Sequence, residues 1–410
     1  MSGIDRLMIL SAGAGAGHNR AGRALERVCN CNSRIGEVKF IDCLEHTNPA
    51  FKALYSKYYL EAVNNTPTLY GWAFRQTDVP WRNYVLLEKF ELLNAGKLID
   101  LIVEYHPDAC VCTHFMPSVV LSHLIRKKRI DTNLSVIVTD FYPHSVWLTQ
   151  LFHQYFVPTE ECKLELVDAE IPADRIHVTG IPIDPVFNEE KDRLELCEKH
   201  DIDPDKPTIL LSAGAVGIMS YNDIVGFLKA IHTDCQIVVI CGTNEKLRSR
   251  MEQFVEESGE TERFRILGFT EEMDEWMTMA DLYIGKPGGL TTSECLSKHL
   301  PMIICDPYPG QEMHNTVVLL ENGTAVIPSS VSTIGYKVDQ VLGDADRLES
   351  MKRASARLAK PRAADSIVQN IIESTGTGIH AVPLKRLSDL TRSDKRDEEP
   401  PDGKKMLLPG

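Results

Sequence analysis

A chain of 410 residues is longer than the size at which one hydrophobic core keeps growing, so two domains with extras are expected. Its 43% hydrophobic and 25% charged content is ordinary for a soluble globular protein, and a net charge of −14 argues against a general nucleic-acid binder. No apolar run approaches the roughly 18 residues of a membrane span, and residues 1–6 are too short and too polar for a signal peptide, so a protein kept on the cytosolic side is expected.

Residues 7–11 form an apolar strand, followed by the glycine turn Gly13-x-Gly15-x-Gly17-His18 and a helical pattern in Ala21, Ala24, Leu25 and Val28. The sixth position of a dinucleotide fingerprint is His18 here, and only Asp42 supplies an acid near the end of the next strand, 38–43, so NAD binding fits poorly. Glycines lacking a side chain let another molecule approach the backbone, which makes Gly15 and Gly17 candidate acceptor-binding positions. Neutral imidazole suits removal of a proton from an attacking hydroxyl, which makes His18 the first candidate base; capping the helix is its plainer role.

From Phe51 to Phe90 the chain is aromatic, with cations interleaved. Trp72, Arg75, Trp81 and Arg82 are the candidates for a face that docks on an anionic membrane surface, against the alternative that the rings are core and the charges merely solvated. Strands follow at 109–113, 134–139, 154–157 and 176–179, with helices between several of them, a pattern that indicates a parallel sheet. Asp140 ends one of these strands and is a second catalytic candidate, to orient His18, contact the acceptor or serve as the base. His114, His144 and Trp147 lie in loops on the same rim and are candidate acceptor-site residues.

The pattern pauses at residues 184–187 and a polar run, 188–206, giving domains 1–187 and 188–375. It restarts with strands at 208–213, 236–241, 264–267, 282–285, 302–305 and 325–327. Two such α/β halves facing across a cleft define the GT-B arrangement. Gly214 lies in a small-residue loop after the first of these strands. Gly285-Lys286-Pro287-Gly288-Gly289-Leu290-Thr291-Thr292-Ser293-Glu294 places glycine backbone and threonine hydroxyls at a helix start, a diphosphate cradle in which Gly288, Gly289, Thr291 and Thr292 are the candidate contacts. Glu294, in the same helix, can accept both hydroxyls of a ribose, and Gln311 with Glu312 suits sugar hydroxyls better than a further phosphate. The ligand expected is a nucleoside diphosphate sugar.

No metal is expected: Asp203-Pro-Asp205 and Asp344-Ala-Asp346 lie away from the phosphate loops, and helix termini can receive the leaving diphosphate. Eleven cysteines, with neither Cys29-x-Cys31 nor Cys110-x-Cys112 at zinc or redox spacing, are expected as reduced thiols. Residues 342–375 read as terminal helices broken at Pro361, and 376–410 as a disordered tail.

The segment from Gly285 to Asn315 resembles the C-terminal signature of the monogalactosyldiacylglycerol synthases and processive diacylglycerol glucosyltransferases, relatives of the peptidoglycan transferase MurG. The resemblance extends to the glycine loop with His18, to Val138-Thr139-Asp140-Phe141, to Tyr155-Phe156-Val157-Pro158-Thr159 and to Val178-Thr179-Gly180-Ile181-Pro182, covering about residues 5–375 in family order. It implies a GT-B fold and an inverting enzyme that moves a glucose or galactose from a UDP-sugar to diacylglycerol as a β-glycoside. It also implies a uracil-binding stretch around Phe269, a last helix that crosses back to the first domain, no cofactor, and peripheral attachment to the cytosolic face of a membrane. A UDP-sugar epimerase of the same fold and a UDP-sugar sensor are the alternatives.

Overall fold

The computed structural model describes residues 3–13, 15–55, 66–213, 220–374 and 376–383. In the first half, β1 (Ile4–Ser11), β2 (Ile35–Asp42), β3 (Ala109–Cys112), β4 (Asn133–Ile137), β6 (Gln154–Val157) and β7 (Ile176–Val178) form one sheet in the order β2-β1-β3-β4-β6-β7; β5 (Leu151–Phe152) lies outside it. Every pairing in it is parallel. β3, β4 and β6 are buried at every position, so they read as continuous runs rather than alternating ones. The helices that matter for the site are α1 (Ala16–Asn30), α2 (Pro67–Thr77), α3 (Tyr84–Asn94) and α4 (Phe115–Arg126).

The second half repeats the plan with β8 (Thr208–Ser212), β9 (Gln236–Ile240), β10 (Phe264–Leu267), β11 (Leu282–Gly285), β12 (Met302–Ile304) and β13 (Ala325–Val326), ordered β10-β9-β8-β11-β12-β13 and again parallel. α5 (Gly289–Ser297) follows β11, and α6 (Gln311–Glu321) follows β12.

α7 (Ala363–Glu373) begins just beyond Pro361 and returns to the first sheet. Its Ala364, Ile367, Val368, Ile371 and Ile372 pack in one buried cluster with Ile4, Leu7 and Ile9 of β1. Burial of each large aliphatic side chain there contributes roughly 1.5–3 kcal/mol, and Ile367→Ala would cost roughly 2–5 kcal/mol. The expectation of disorder from residue 376 needs correction. β14 (His380–Ala381) pairs antiparallel with β5, and the amide of Val382, a buried residue, donates to the Gln150 carbonyl at 2.9 Å. Residues 384–410 lie outside the described residues. All eleven cysteines are free, and ten are buried.

α3 is turned inside out. It buries Glu88 and Glu91 and exposes Leu86 (71%) and Leu93 (83%) together with Val85 and Phe90. The buried carboxylates are tolerated because each has partners: Glu88 pairs with Arg126 and with His123 at 3.2 Å, and Glu91 accepts from the Tyr55 hydroxyl. Burial pushes the Glu91 carboxyl up to about 7.

Candidate active site

Each sheet reverses its strand order once, between β1 and β3 in the first and between β8 and β11 in the second. Ligands of open parallel sheets collect beyond the carboxyl ends of the strands at such points. His18 leaves β1, His114 leaves β3, and the candidate phosphate cradle leaves β11; Gly214, after β8, lies outside the described residues.

The two glycine loops end in bare helix starts. α1 has Gly15 as its N-cap and α5 has Gly288, neither with a side-chain cap nor an acid in its first turn. They approach each other across the domain boundary: a Cβ on Gly17 would lie 3.9 Å from Leu290, and one on Gly289 would fall 2.2 Å from the Thr139 carbonyl oxygen. Only glycine at 289 lets the cradle close on the first domain. Two positive helix ends with no acid in either first turn favour an anion. The Thr292 hydroxyl, wholly buried at the start of α5, has no hydrogen-bond partner, and Thr291 is half-buried.

Two polar side chains hold these loops. Asp42 accepts from the Gly13 amide (3.1 Å), the Leu44 amide (3.1 Å) and the Asn19 side chain (2.8 Å), which pins the first loop. Asn315, fully buried in α6, accepts from the Phe141 amide (2.9 Å) and donates to the Pro287 carbonyl (2.8 Å), tying the loop after β4 to the cradle. In the sequence Asp42 shows only as an acid closing an apolar strand. Asn315 shows only as the end of the conspicuous C-terminal segment.

His18 Nδ1 lies 3.0 Å from the Thr113 carbonyl and 2.8 Å from the Thr139 hydroxyl. A carbonyl can only accept, so Nδ1 carries the proton and Nε2 is the basic nitrogen. Burial pulls His18 down to about 4, against the Thr113 hydrogen bond, so the ring is neutral at physiological pH. The orienting partner is thus a carbonyl and a hydroxyl, and Asp140 is not among the hydrogen-bond partners of His18. His114 packs edge-on at 4.8 Å and Trp147 at 6.2 Å between ring centroids. His114 Nδ1 accepts from the Met116 amide at 3.1 Å and so caps α4, while burial holds its basicity well below the usual range.

Three buried carboxyls, one from the first domain and two from the second, have raised affinities for protons. Burial pushes Asp140 up to about 6, against a hydrogen bond from Asn315. It pushes Glu312 up to about 7, against the Tyr308 amide that donates to it at 2.7 Å, and Asp140 adds to the shift. Glu294, 1% exposed, is pushed up to about 7 by burial, and Arg20 of α1, its ion-pair partner, pulls the other way. Lys286 is engaged locally, 3.3 Å from the centroid of the Tyr308 ring and 3.5 Å from Asp306.

Gln311 opens α6 and accepts from the Tyr70 hydroxyl at 2.9 Å. Phe269 presents a ring that is 66% exposed in the loop after β10. His144, expected at the acceptor, instead has both nitrogens in use: Nδ1 accepts from the Val146 amide (3.1 Å) and Nε2 donates to the Phe74 carbonyl (3.0 Å). Trp81 departs from the expected docking face. It is 7% exposed, its indole N–H donates to the Ala169 carbonyl at 2.9 Å, and its ring packs on Tyr84. Trp72, Arg75 and Arg82 are exposed.

In each Asp-x-Asp pair the first carboxylate accepts a local backbone hydrogen bond. Asp203 accepts from the Asp205 amide in a turn, and Asp344 caps the helix that starts at Ala345. Among the described residues, His200, Glu272 and Glu275 bring three ligand atoms within 4.8 Å, but Lys199 stands 2.9 Å from Glu272 and 2.6 Å from Glu275 and neutralises them.

Two Rossmann-like halves, each a six-stranded parallel sheet, that meet near their switch points have the GT-B fold. The chain matches the Monogalactosyldiacylglycerol (MGDG) synthase family over residues 18–183 and the glycosyltransferase family 28 C-terminal domain over 208–369. It is 30% identical over 354 residues to the processive diacylglycerol beta-glucosyltransferase of Staphylococcus carnosus, covering 84% of this chain and 87% of that one. The chain belongs to this family of diacylglycerol glycosyltransferases. Its fold is similar to Acinetobacter baumannii MurG (TM-score 0.60, 15% identity, 90% of this chain and 99% of that one). It is also similar to the UDP-GlcNAc 2-epimerase of Neisseria meningitidis bound to UDP-GlcNAc (TM-score 0.57, 15% identity, 90% and 100%).

Proposed function

We propose that the protein transfers a hexose, glucose or galactose, from a UDP-sugar to diacylglycerol with inversion, making a β-glycosyl diacylglycerol at a membrane surface. The observation that carries the chemistry is His18 Nδ1 held against the Thr113 carbonyl at 3.0 Å, beside the two converging helix starts. His18 Nε2 takes the proton of the acceptor hydroxyl as that oxygen bonds to the sugar's anomeric carbon. The bond from that carbon to the β-phosphate oxygen breaks, and UDP leaves with its charge against the N-termini of α1 and α5. A diphosphate bound at these helix ends would, by its negative charge, raise the basicity of His18. In this reading the helix ends meet the leaving charge, and no metal or cofactor is required.

Glu294 would hold the ribose, Phe269 would cover the uracil, and Gln311 with Glu312 would hold the hexose. Binding the donor requires Glu294 to exchange Arg20 for the ribose hydroxyls. Acceptor entry along Gly15, Gly17, His114 and Trp147 is consistent with the aromatic wall around His18.

No described helix is long and apolar enough to cross a membrane. Support for surface docking comes from α2, α3 and the residues next to them, where exposed Leu69, Trp72, Leu86 and Leu93 lie among exposed Arg75, Arg82, Lys89 and Lys97. Such a mixture suits apolar insertion into a cytosolic leaflet that carries anionic lipid. The test is incubation with labelled UDP-glucose or UDP-galactose and diacylglycerol vesicles, followed by lipid extraction and mass analysis. Sugar released or epimerised without a glycolipid would contradict the reading.

A further inference from the structure

Helix α2 belongs to the first domain yet grips the turn that opens α6 in the second. Gly71 faces Pro309 so closely that a Cβ would fall 2.7 Å from the proline ring. Gly310, at φ +101°, faces Phe74, and a Cβ there would lie 2.9 Å from that ring. Glycine on both sides brings the helix and the turn together, and the Tyr70 hydroxyl then reaches Gln311 at 2.9 Å. The far end of α2 is anchored in its own domain. Asp78 accepts from the Tyr142 hydroxyl (2.6 Å) and the Ser145 amide (2.8 Å), and His144 donates to the Phe74 carbonyl. Tyr142 in turn stacks on His314 of α6, centroid to centroid 3.9 Å and 9° from parallel.

We propose that the donor-sugar subsite is completed from the opposite domain, with Tyr70 as the positioning residue that orients the Gln311 amide and Gly71 as the position that admits it. This deepens the reading of Gln311 as a sugar contact and rests on it. A Tyr70 hydroxyl donating to Oε1 fixes which way the amide faces, so the amide N–H groups are presented to an accepting sugar oxygen rather than a donating hydroxyl. Uridine and diphosphate contacts arise from other elements, so only the hexose senses α2. Trp72 and Leu69 stand exposed on the same helix, which places the sugar subsite one helix away from the proposed docking face.

The experiment is calorimetry of UDP, UDP-glucose and UDP-galactose with the full chain and with Tyr70→Phe, Gly71→Ala and the exposed control Gln76→Ala. Tyr70→Phe and Gly71→Ala should each weaken the better-bound UDP-sugar about tenfold, leave UDP within twofold, and narrow the preference between the two sugars. Gln76→Ala should match the parent for all three. Tyr70→Phe removes one oxygen only, so the outcome does not depend on whether Gly71→Ala folds. Equal weakening of UDP and UDP-sugar would mean that α2 merely supports the domains, and no weakening would mean that Tyr70 orients nothing; either overturns the proposal. Lipid product by the parent is measured separately, so failure of the transferase reading and failure of this subsite are distinct results.

Discussion

Arg20, on the helix that starts with the candidate base, forms an ion pair with Glu294, on the helix that starts with the candidate phosphate cradle. The pair spans the cleft and occupies the carboxylate assigned to the ribose. Its strength decides whether the donor can displace it. Arg20 is 46% exposed, so its contribution is screened to roughly 0–1 kcal/mol. A carboxylate that accepts two ribose hydroxyls contributes more, at about 1.5–3 kcal/mol for a charged hydrogen-bond partner. Glu294→Ala should therefore weaken UDP and UDP-sugar alike by at least tenfold, while Arg20→Ala should change UDP affinity less than about fivefold. Calorimetry giving the reverse order would make Arg20, and not Glu294, the donor contact.

The protonation of Glu294 gives a pH signature. With its carboxyl raised to about 7, the group is largely protonated at pH 6 and largely ionised at pH 8. Only the ionised form accepts both hydroxyls, so UDP should bind more tightly as pH rises through 7. Glu294→Gln should flatten that dependence. A UDP affinity that is flat from pH 6 to 8 in the parent would separate Glu294 from the ribose.

The sugar carboxyl predicts a second split. Glu312, also raised to about 7, and Gln311 contact only the hexose in this account. Gln311→Ala should weaken UDP-glucose roughly tenfold and UDP hardly at all, since one hydrogen bond is lost from one part of the ligand. Equal loss for both ligands in a direct binding assay would move Gln311 to the nucleotide.

Docking should depend on residues that are exposed. Replacing Leu69, Trp72, Leu86 and Leu93 together by Ser should abolish sedimentation with anionic vesicles without lowering Tm. Binding by the parent should fall with salt. Trp81→Ala is the contrast: the buried ring and its hydrogen bond to Ala169 predict a loss of roughly 3–5 kcal/mol of stability. A quadruple variant that sediments like the parent would place the docking face elsewhere.

The loops that frame the candidate site are legible in the sequence because backbone chemistry leaves local signatures. Strand, glycine turn and helix in succession identified the loops of His18 and Gly288, and the two halves announced themselves as repeated α/β patterns. Arg20, Asp42, Tyr70 and Asn315 act across 23 to 274 residues of sequence, and no local pattern marks such partners. The aromatic stretch misled at Trp81 because composition does not say which ring faces inward. α3 shows the same limit in reverse, since its buried face carries Glu88 and Glu91, whose partners Arg126, His123 and Tyr55 lie on other elements. The polarity of the tail predicts disorder, but His380 and Val382 find an edge at β5 that only the folded first domain provides.

The central claim is that His18 is the base for glycosyl transfer to a lipid hydroxyl, and one comparison addresses it directly. The parent and His18→Ala are incubated with labelled UDP-glucose or UDP-galactose and diacylglycerol vesicles, with UDP affinity measured on the same samples. The account predicts a glycosyl diacylglycerol from the parent, a rate lower by roughly 100-fold or more in the variant, and UDP affinity within about twofold. Near-normal glycolipid synthesis by His18→Ala would contradict it and transfer the role to Asp140.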